Sequence, residues 1–411
     1  MGKLENKREI LSMMIMCTVV YFVSYITRIN YSAVMVDMIA RGDVTQKVAA
    51  LAITVNSIVY GAGQVVSGYL GDKIKPYKLT FCGLLVTAAI NFCLPFNTSP
   101  VMNITLWSIN GLAQAFMWPP LVRIMSTYFN EVDYKKTCGM VSSGSGGATL
   151  VMYLCSPLLI KYFGWKASFI IPAVVAIVFS VIWSLYFGRM GKRVSWEISV
   201  VTKKEQRGTN TGFGSGVIVL LGIVMFCIIL QGILRDGITN WMPTYIKETF
   251  NVGSGIAILS GVVLPIFHVL CNNLALAVNR KWLKNELLCA GAFFVAGGLS
   301  LFVLAITKAG GGIFLTIAMF AVAAGSMHGI NVILTCIVPR YFEKFGKVSL
   351  MSGLLNSCTY IGAAVATYGS SALSQKLGWN FTVIMWTVTA ICGITVCLAG
   401  VKGWGKFKKN Q

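Results

Sequence analysis

The chain has 411 residues, 56% of them hydrophobic and only 11% charged. A soluble domain carries about 25% charged residues, so a water-soluble globule is excluded. The net charge of +21 would point to nucleic acid in a soluble chain; here the basic residues sit between apolar stretches, which is the positive-inside pattern of a membrane protein.

Twelve apolar stretches are each long enough to cross a bilayer, which takes about 17 or more residues. They run near 10–36, 47–70, 77–95, 102–128, 137–160, 167–188, 215–244, 254–278, 286–306, 311–337, 347–373 and 380–400. The first is too long for a removed signal peptide and lacks a small-residue cleavage site. If the stretches alternate in direction, Lys3, Lys7, Arg8, Lys73, Lys75, Lys78, Lys135, Lys136, the cluster Arg189–Arg207, Arg280, Lys281, Lys284, Arg340, Lys344, Lys347 and the tail lysines fall on one side. Both termini are therefore expected in the cytoplasm of a multi-pass cell-membrane protein. The tail GWGKFKKNQ could also meet anionic lipid.

Segment 1 places Tyr21, Tyr25 and Arg28 at helical spacings of 4 and 3, on one face. A mid-membrane arginine costs about 2.5–3.5 kcal/mol on insertion scales, so it should face a polar cavity. Two phenols and a guanidinium are suitable donors to an anion such as phosphate. The alternative is a pair of interfacial tyrosines and an arginine that snorkels outward.

Segment 2 carries Gln64 and ends in Gly68-Tyr69-Leu70-Gly71-Asp72-Lys73-Ile74-Lys75-Pro76-Tyr77-Lys78. This run resembles the major facilitator signature between helices 2 and 3. Gly68 would allow close helix approach, and Asp72 with Lys73 would form a charge cluster that acts in gating. Segment 4 holds Gln114, Trp118 and the pair Pro119-Pro120; paired prolines mark a bend and free backbone carbonyls.

Residues 190–213 form the long polar break in the chain. They divide a half at 1–189 from a half at 214–411, and the halves repeat each other. Gly164-Trp165 returns as Gly378-Trp379, Tyr128-Phe129 as Tyr341-Phe342, and Arg28 as Arg235, at offsets of about 210 residues. The expected fold is all-α: the major facilitator architecture, two parallel-repeat halves of six helices with the binding site at the midplane between them.

Segment 7 offers Gln231, Arg235, Asp236 and Trp241. Arg235 and Asp236 could pair, but adjacent helical residues do not face each other well, which leaves Asp236 open to another partner or a proton. Both histidines of the chain lie in apolar segments. His268 reads as a hydrogen-bonded structural group. His328, among Gly325, Gly329 and Asn331, could line the cavity and add charge to an anion site. The 12 cysteines are scattered and contain no C-x-x-C pair, so neither a metal site nor a disulfide framework is expected. No phosphate-binding G-x-x-x-x-G-K-[ST] loop occurs, which argues against ATP as the driving force. No cofactor and no enzymatic step is expected.

The strings Tyr21-x-x-x-Tyr25-x-x-Arg28-x-Asn30, Gln114-x-x-x-Trp118-Pro119-Pro120-x-x-Arg123, Leu234-Arg235-x-Gly237-Ile238-x-x-Trp241-x-Pro243-Thr244-Tyr245 and Tyr360-Ile361-Gly362 resemble the organophosphate:phosphate antiporter family of the major facilitator superfamily. That family includes bacterial glycerol-3-phosphate and hexose-phosphate transporters. The resemblance implies that Arg28 and Arg235 bind the phosphate group, that Tyr21, Tyr25 and Tyr360 assist, and that a phosphorylated solute is exchanged for inorganic phosphate by alternating access. Gln64, Gln114, Trp118, His328 and Tyr360 would meet the organic part. The glycerol-3-phosphate transporter has basic residues where this chain has Gln64, Ile29 and a position near Ala148, which points to a different phosphate ester or a less charged anion. The expected partners are that solute, inorganic phosphate and the bilayer, with no nucleic acid, and the expected state is a monomer. Two other functions fit the same fold: a proton-coupled carboxylate or drug transporter, with Asp236 or His328 titrating, and a membrane sensor of a phosphorylated solute.

Overall fold

Polar caps decide where the helices of this chain begin. The computed structural model describes residues 3–193, 215–253 and 260–409; residues 194–213 of the expected linker lie outside them. Helix α1 (Lys7–Ala40) starts where the Asn6 side chain accepts from the Arg8 N–H. Thr45 caps α2 (Gln46–Lys73) through the Val48 N–H. A proline in the first turn, whose missing N–H costs nothing there, opens α3 (Pro76–Cys93) and α4 (Pro100–Ala115). Asn130 caps α6 (Glu131–Phe163) through the Asp133 N–H. Each such cap contributes about 1 kcal/mol.

The fourth apolar stretch is two helices. After α4, the chain breaks at Phe116–Met117 and resumes as α5 (Trp118–Tyr128), with Pro119 in its first turn. The remaining helices are α7 (Ala167–Arg193), α8 (Ser215–Phe250), α9 (Val263–Lys281), α10 (Glu286–Thr307), α11 (Gly312–Asn331) and α12 (Val348–Lys409). A π-helical segment, Val332–Ile337, follows α11; such segments occur often at functional sites. Nine of the described helices are long and apolar enough to cross a membrane, and no strand occurs among the described residues. Helices satisfy every backbone group internally, as hydrocarbon demands.

The repeat shows in the backbone. Gly164 ends α6 with φ 78°, and Gly378 breaks α12 with φ 81° and ψ 169°. Each is followed by a tryptophan whose indole N–H reaches a carboxylate. Trp165 Nε1 donates to Asp43 at 2.8 Å and Trp379 Nε1 to Glu248 at 2.7 Å. The repeated Gly-Trp therefore encodes a corner, with glycine supplying the left-handed turn.

Two compact units are present. One comprises Met1–Gly212 with Phe342–Leu354; the other comprises Phe213–Tyr341 with Leu355–Gln411. In the first, α1 packs on α6 and α7, α2 on α4, and α3 on α7. In the second, α11 is central and touches α8, α9 and α10. Small residues let the helices approach closely. A Cβ on Gly362 of α12 would lie 2.9 Å from the Gly232 Cα of α8.

Candidate substrate site

In the first unit, Arg28 is half-buried on α1. Its guanidinium lies 3.9 Å from the ring centroid of Tyr60 and 5.7 Å from that of Tyr25. Arginine over an aromatic face is attracted by the ring quadrupole, more strongly when water is excluded. Tyr25 and Tyr21 have ring centroids 5.1 Å apart, and Tyr21 continues to Trp118 of α5 at 5.0 Å. The predicted residues Tyr21, Tyr25, Arg28 and Trp118 are thus brought together. Tyr60, 2% exposed, was not foreseen; its position on α2, one turn before Gln64, was the available signal.

The backbone of α1 around Arg28 is tied on several sides. Asn91 of α3 donates to the Thr27 carbonyl at 3.0 Å, and Asn110 of α4 donates to the same carbonyl at 3.3 Å. Asn30 donates to Asn91 Oδ1 at 2.6 Å and to the Ser168 carbonyl at 3.1 Å. Gln114 donates to the Ser24 carbonyl and to Thr27 Oγ1, both at 3.0 Å. These groups are buried, and a satisfied buried network holds its members rigidly. Gln64 is fully buried, with its amide nitrogen 3.5 Å from the Ala115 carbonyl. Both glutamine amides therefore engage helix backbone.

In the second unit, Arg235 is held by its neighbour. Nε donates to Asp236 Oδ1 at 3.0 Å and Nη2 to Oδ2 at 2.7 Å. The expectation that adjacent helical residues face apart is overturned: the long guanidinium arm bends back to the carboxylate, because an isolated charge at this depth is costly. His328 is brought against His268, ring centroids 3.8 Å apart at 19°. Both imidazoles lie in the electrostatic field of Arg235. His268, expected as a hydrogen-bonded structural group, is thus one half of a stacked pair. Tyr360 is half-buried on α12, beside Thr359, whose hydroxyl donates to Asn331 of α11 at 3.4 Å. Gln231, one turn before Arg235, is fully buried, and among the described residues neither its amide oxygen nor its nitrogen has a hydrogen-bond partner.

The signature residues of α2 meet a segment far away in sequence. Asp72 accepts from the backbone N–H groups of Ser349 and Leu350, at 2.9 and 2.8 Å. It thereby caps the first turn of α12, where a carboxylate complements the helix dipole. Arg123 Nε lies 3.8 Å from the same carboxylate. Gly68 makes the approach possible, since a Cβ there would lie 2.7 Å from the Ser349 carbonyl. Lys73 bonds the Tyr69 hydroxyl, with its amine 4.0 Å from that ring's centroid. Among the described residues, no group of three or more His, Cys, Asp or Glu is arranged to hold a metal.

The fold matches that of a solved proton:xylose symporter, XylE, with a TM-score of 0.70 over 95% of both chains at 15% identity. A membrane sensor protein of Escherichia coli, UhpC, is 24% identical over 56% of this chain and 56% of its own length. The chain thus spans little more than half of that relative. A probable hexose phosphate transport protein of Chlamydia muridarum is 22% identical over 88% of this chain and 84% of its own. The Major Facilitator Superfamily profile matches residues 17–338. The chain belongs to the Major Facilitator Superfamily, and its resemblance within it is to the organophosphate:phosphate antiporter group.

Proposed function

We propose that this protein exchanges an organic phosphate, of the sugar or glycerol phosphate type, for inorganic phosphate by alternating access. Arg28 and Arg235 are the guanidinium donors to the phosphoryl group, with Tyr21 and Tyr25 as phenolic donors. The observation that carries this reading is the pair of mirrored arginines, each half-buried in its own unit among polar and aromatic side chains. The hexose phosphate relative supports the same substrate class. Trp118, His328 and Tyr360 contact the organic part; Gln64 and Gln114, whose amides engage helix carbonyls, shape the same region. Gly68, Asp72 and Lys73 act in the conformational change. The protein works as a monomer, with both termini in the cytoplasm.

Phosphate counterflow tests the proposal. Purified protein in phosphate-loaded liposomes should take up labelled phosphate, and one member of a panel of hexose, triose and glycerol phosphates should compete. Absence of counterflow with every ester would sink the exchange reading. The kinship with UhpC favours a second reading, a sensor of a phosphorylated solute. Tight binding of an ester without flux would select it.

A further inference from the structure

Arg235 and Asp236 form a side-on, two-bond pair at 3.0 and 2.7 Å, with side chains only 14% and 21% exposed. That is the geometry in which a guanidinium receives an oxyanion ligand. We propose that Asp236 is a specificity-determining residue, which holds the anion-binding edge of Arg235 against monocarboxylates and yields it to a phosphoryl dianion. The inference rests on the reading of this chain as a carrier or sensor of phosphate esters.

The argument is one of competition. A substrate carboxylate replaces like with like: two N–H to oxygen bonds for two, and one negative charge for one. Asp236 is tethered to the same helix turn, so its effective concentration exceeds that of a free carboxylate. The free ligand also loses translational freedom on binding. A carboxylate substrate therefore gains nothing at this edge. A phosphoryl group brings a second negative charge and a third acceptor oxygen, and charge-assisted bonds are the strong ones. Only such a ligand gains by the exchange. The titratable groups nearby from the packed helices are His268 of α9 and His328 of α11, both in the field of Arg235. Asp236 thus acts as a resident ligand, and the chemistry of its own carboxylate defines what it excludes.

The test uses the full chain in lipid nanodiscs, wild type beside Asp236→Asn, with labelled inorganic phosphate as the probe. A hexose phosphate and the matching sugar monocarboxylate are the competitors. In the wild type the ester should displace phosphate and the carboxylate should not. In Asp236→Asn the carboxylate should compete, its affinity rising at least tenfold, about the effect of one lost charged rival. The ester should gain less, and Asp236→Glu should restore exclusion. An unchanged ester-to-carboxylate ratio in Asp236→Asn would show that the pair only neutralises a buried arginine, and would overturn the proposal. If Asp236→Asn fails to fold, the wild type still decides, because a carboxylate that binds as tightly as the ester overturns it alone. A wild type that binds neither phosphate nor ester overturns the underlying functional reading as well, and is distinguishable from either result.

Discussion

The two halves place an arginine at the same point of the repeat and then treat it differently. Arg28 rests against the faces of Tyr60 and Tyr25, on a helix tied down by Asn91, Asn110 and Gln114. Arg235 is held by a carboxylate from the next residue, near a stacked imidazole pair. An aromatic face attracts a guanidinium without cancelling its charge. A carboxylate cancels the charge until something displaces it. The duplicated position thus meets an aromatic face in one half and a carboxylate in the other.

The largest expected effect comes from removing the guanidinium geometry that both positions share. Arg28→Lys and Arg235→Lys keep the charge but lose the planar fork. Each should lower phosphate exchange in liposomes by at least a hundredfold, about two charge-assisted hydrogen bonds, with protein insertion retained. Wild-type rates in Arg28→Lys would break the comparison, since that arginine could then act as a simple positive charge.

A smaller effect should follow from loosening the frame around Arg28. Asn91→Ala removes the bonds to Thr27 and Asn30, which keep their contacts to Asn110 and Ser168, so each lost bond costs about 0.5–1.5 kcal/mol. Thermal unfolding in detergent should show a lower midpoint, and transport should fall because α1 is no longer fixed. An unchanged midpoint would mean that the network does not hold α1.

The smallest effect compares the mirrored corners. Trp165→Phe and Trp379→Phe each remove one indole-to-carboxylate bond. The bond from Trp165 to Asp43 is partly buried, whereas the bond from Trp379 to Glu248 is exposed. Water competes more weakly for the first, so Trp165→Phe should cost about 1 kcal/mol more than Trp379→Phe. Equal losses in thermal unfolding would remove the asymmetry.

Much of the fold is legible in the chain. Apolar runs end where helices end, because hydrocarbon tolerates only backbone that bonds within its own segment. The boundaries differ where local rules compete. Pro119 and Pro120 split the fourth stretch into α4 and α5, and α7 runs on to Arg193, into the expected linker. The face formed by Tyr21, Tyr25 and Arg28 was readable because it depends on helical periodicity alone. Its partner Tyr60 was not, because it comes from another helix, and only packing decides which residue of α2 meets α1.

The sequence by itself determined the class of the molecule, the approximate places of its apolar helices, the duplication and the matched arginines. Each of these follows from local hydropathy, spacing or repetition, quantities that a linear chain carries. Only the tertiary structure decided what each arginine touches, that Asp72 caps α12 across more than half the chain, that His268 stacks on His328, and that the repeated tryptophans end on Asp43 and Glu248. These are contacts between groups distant in sequence or, for Arg235 and Asp236, a side-chain bend that helical geometry alone disfavours. They are set by the cost of leaving a charge or a polar atom unpartnered once packing has excluded water.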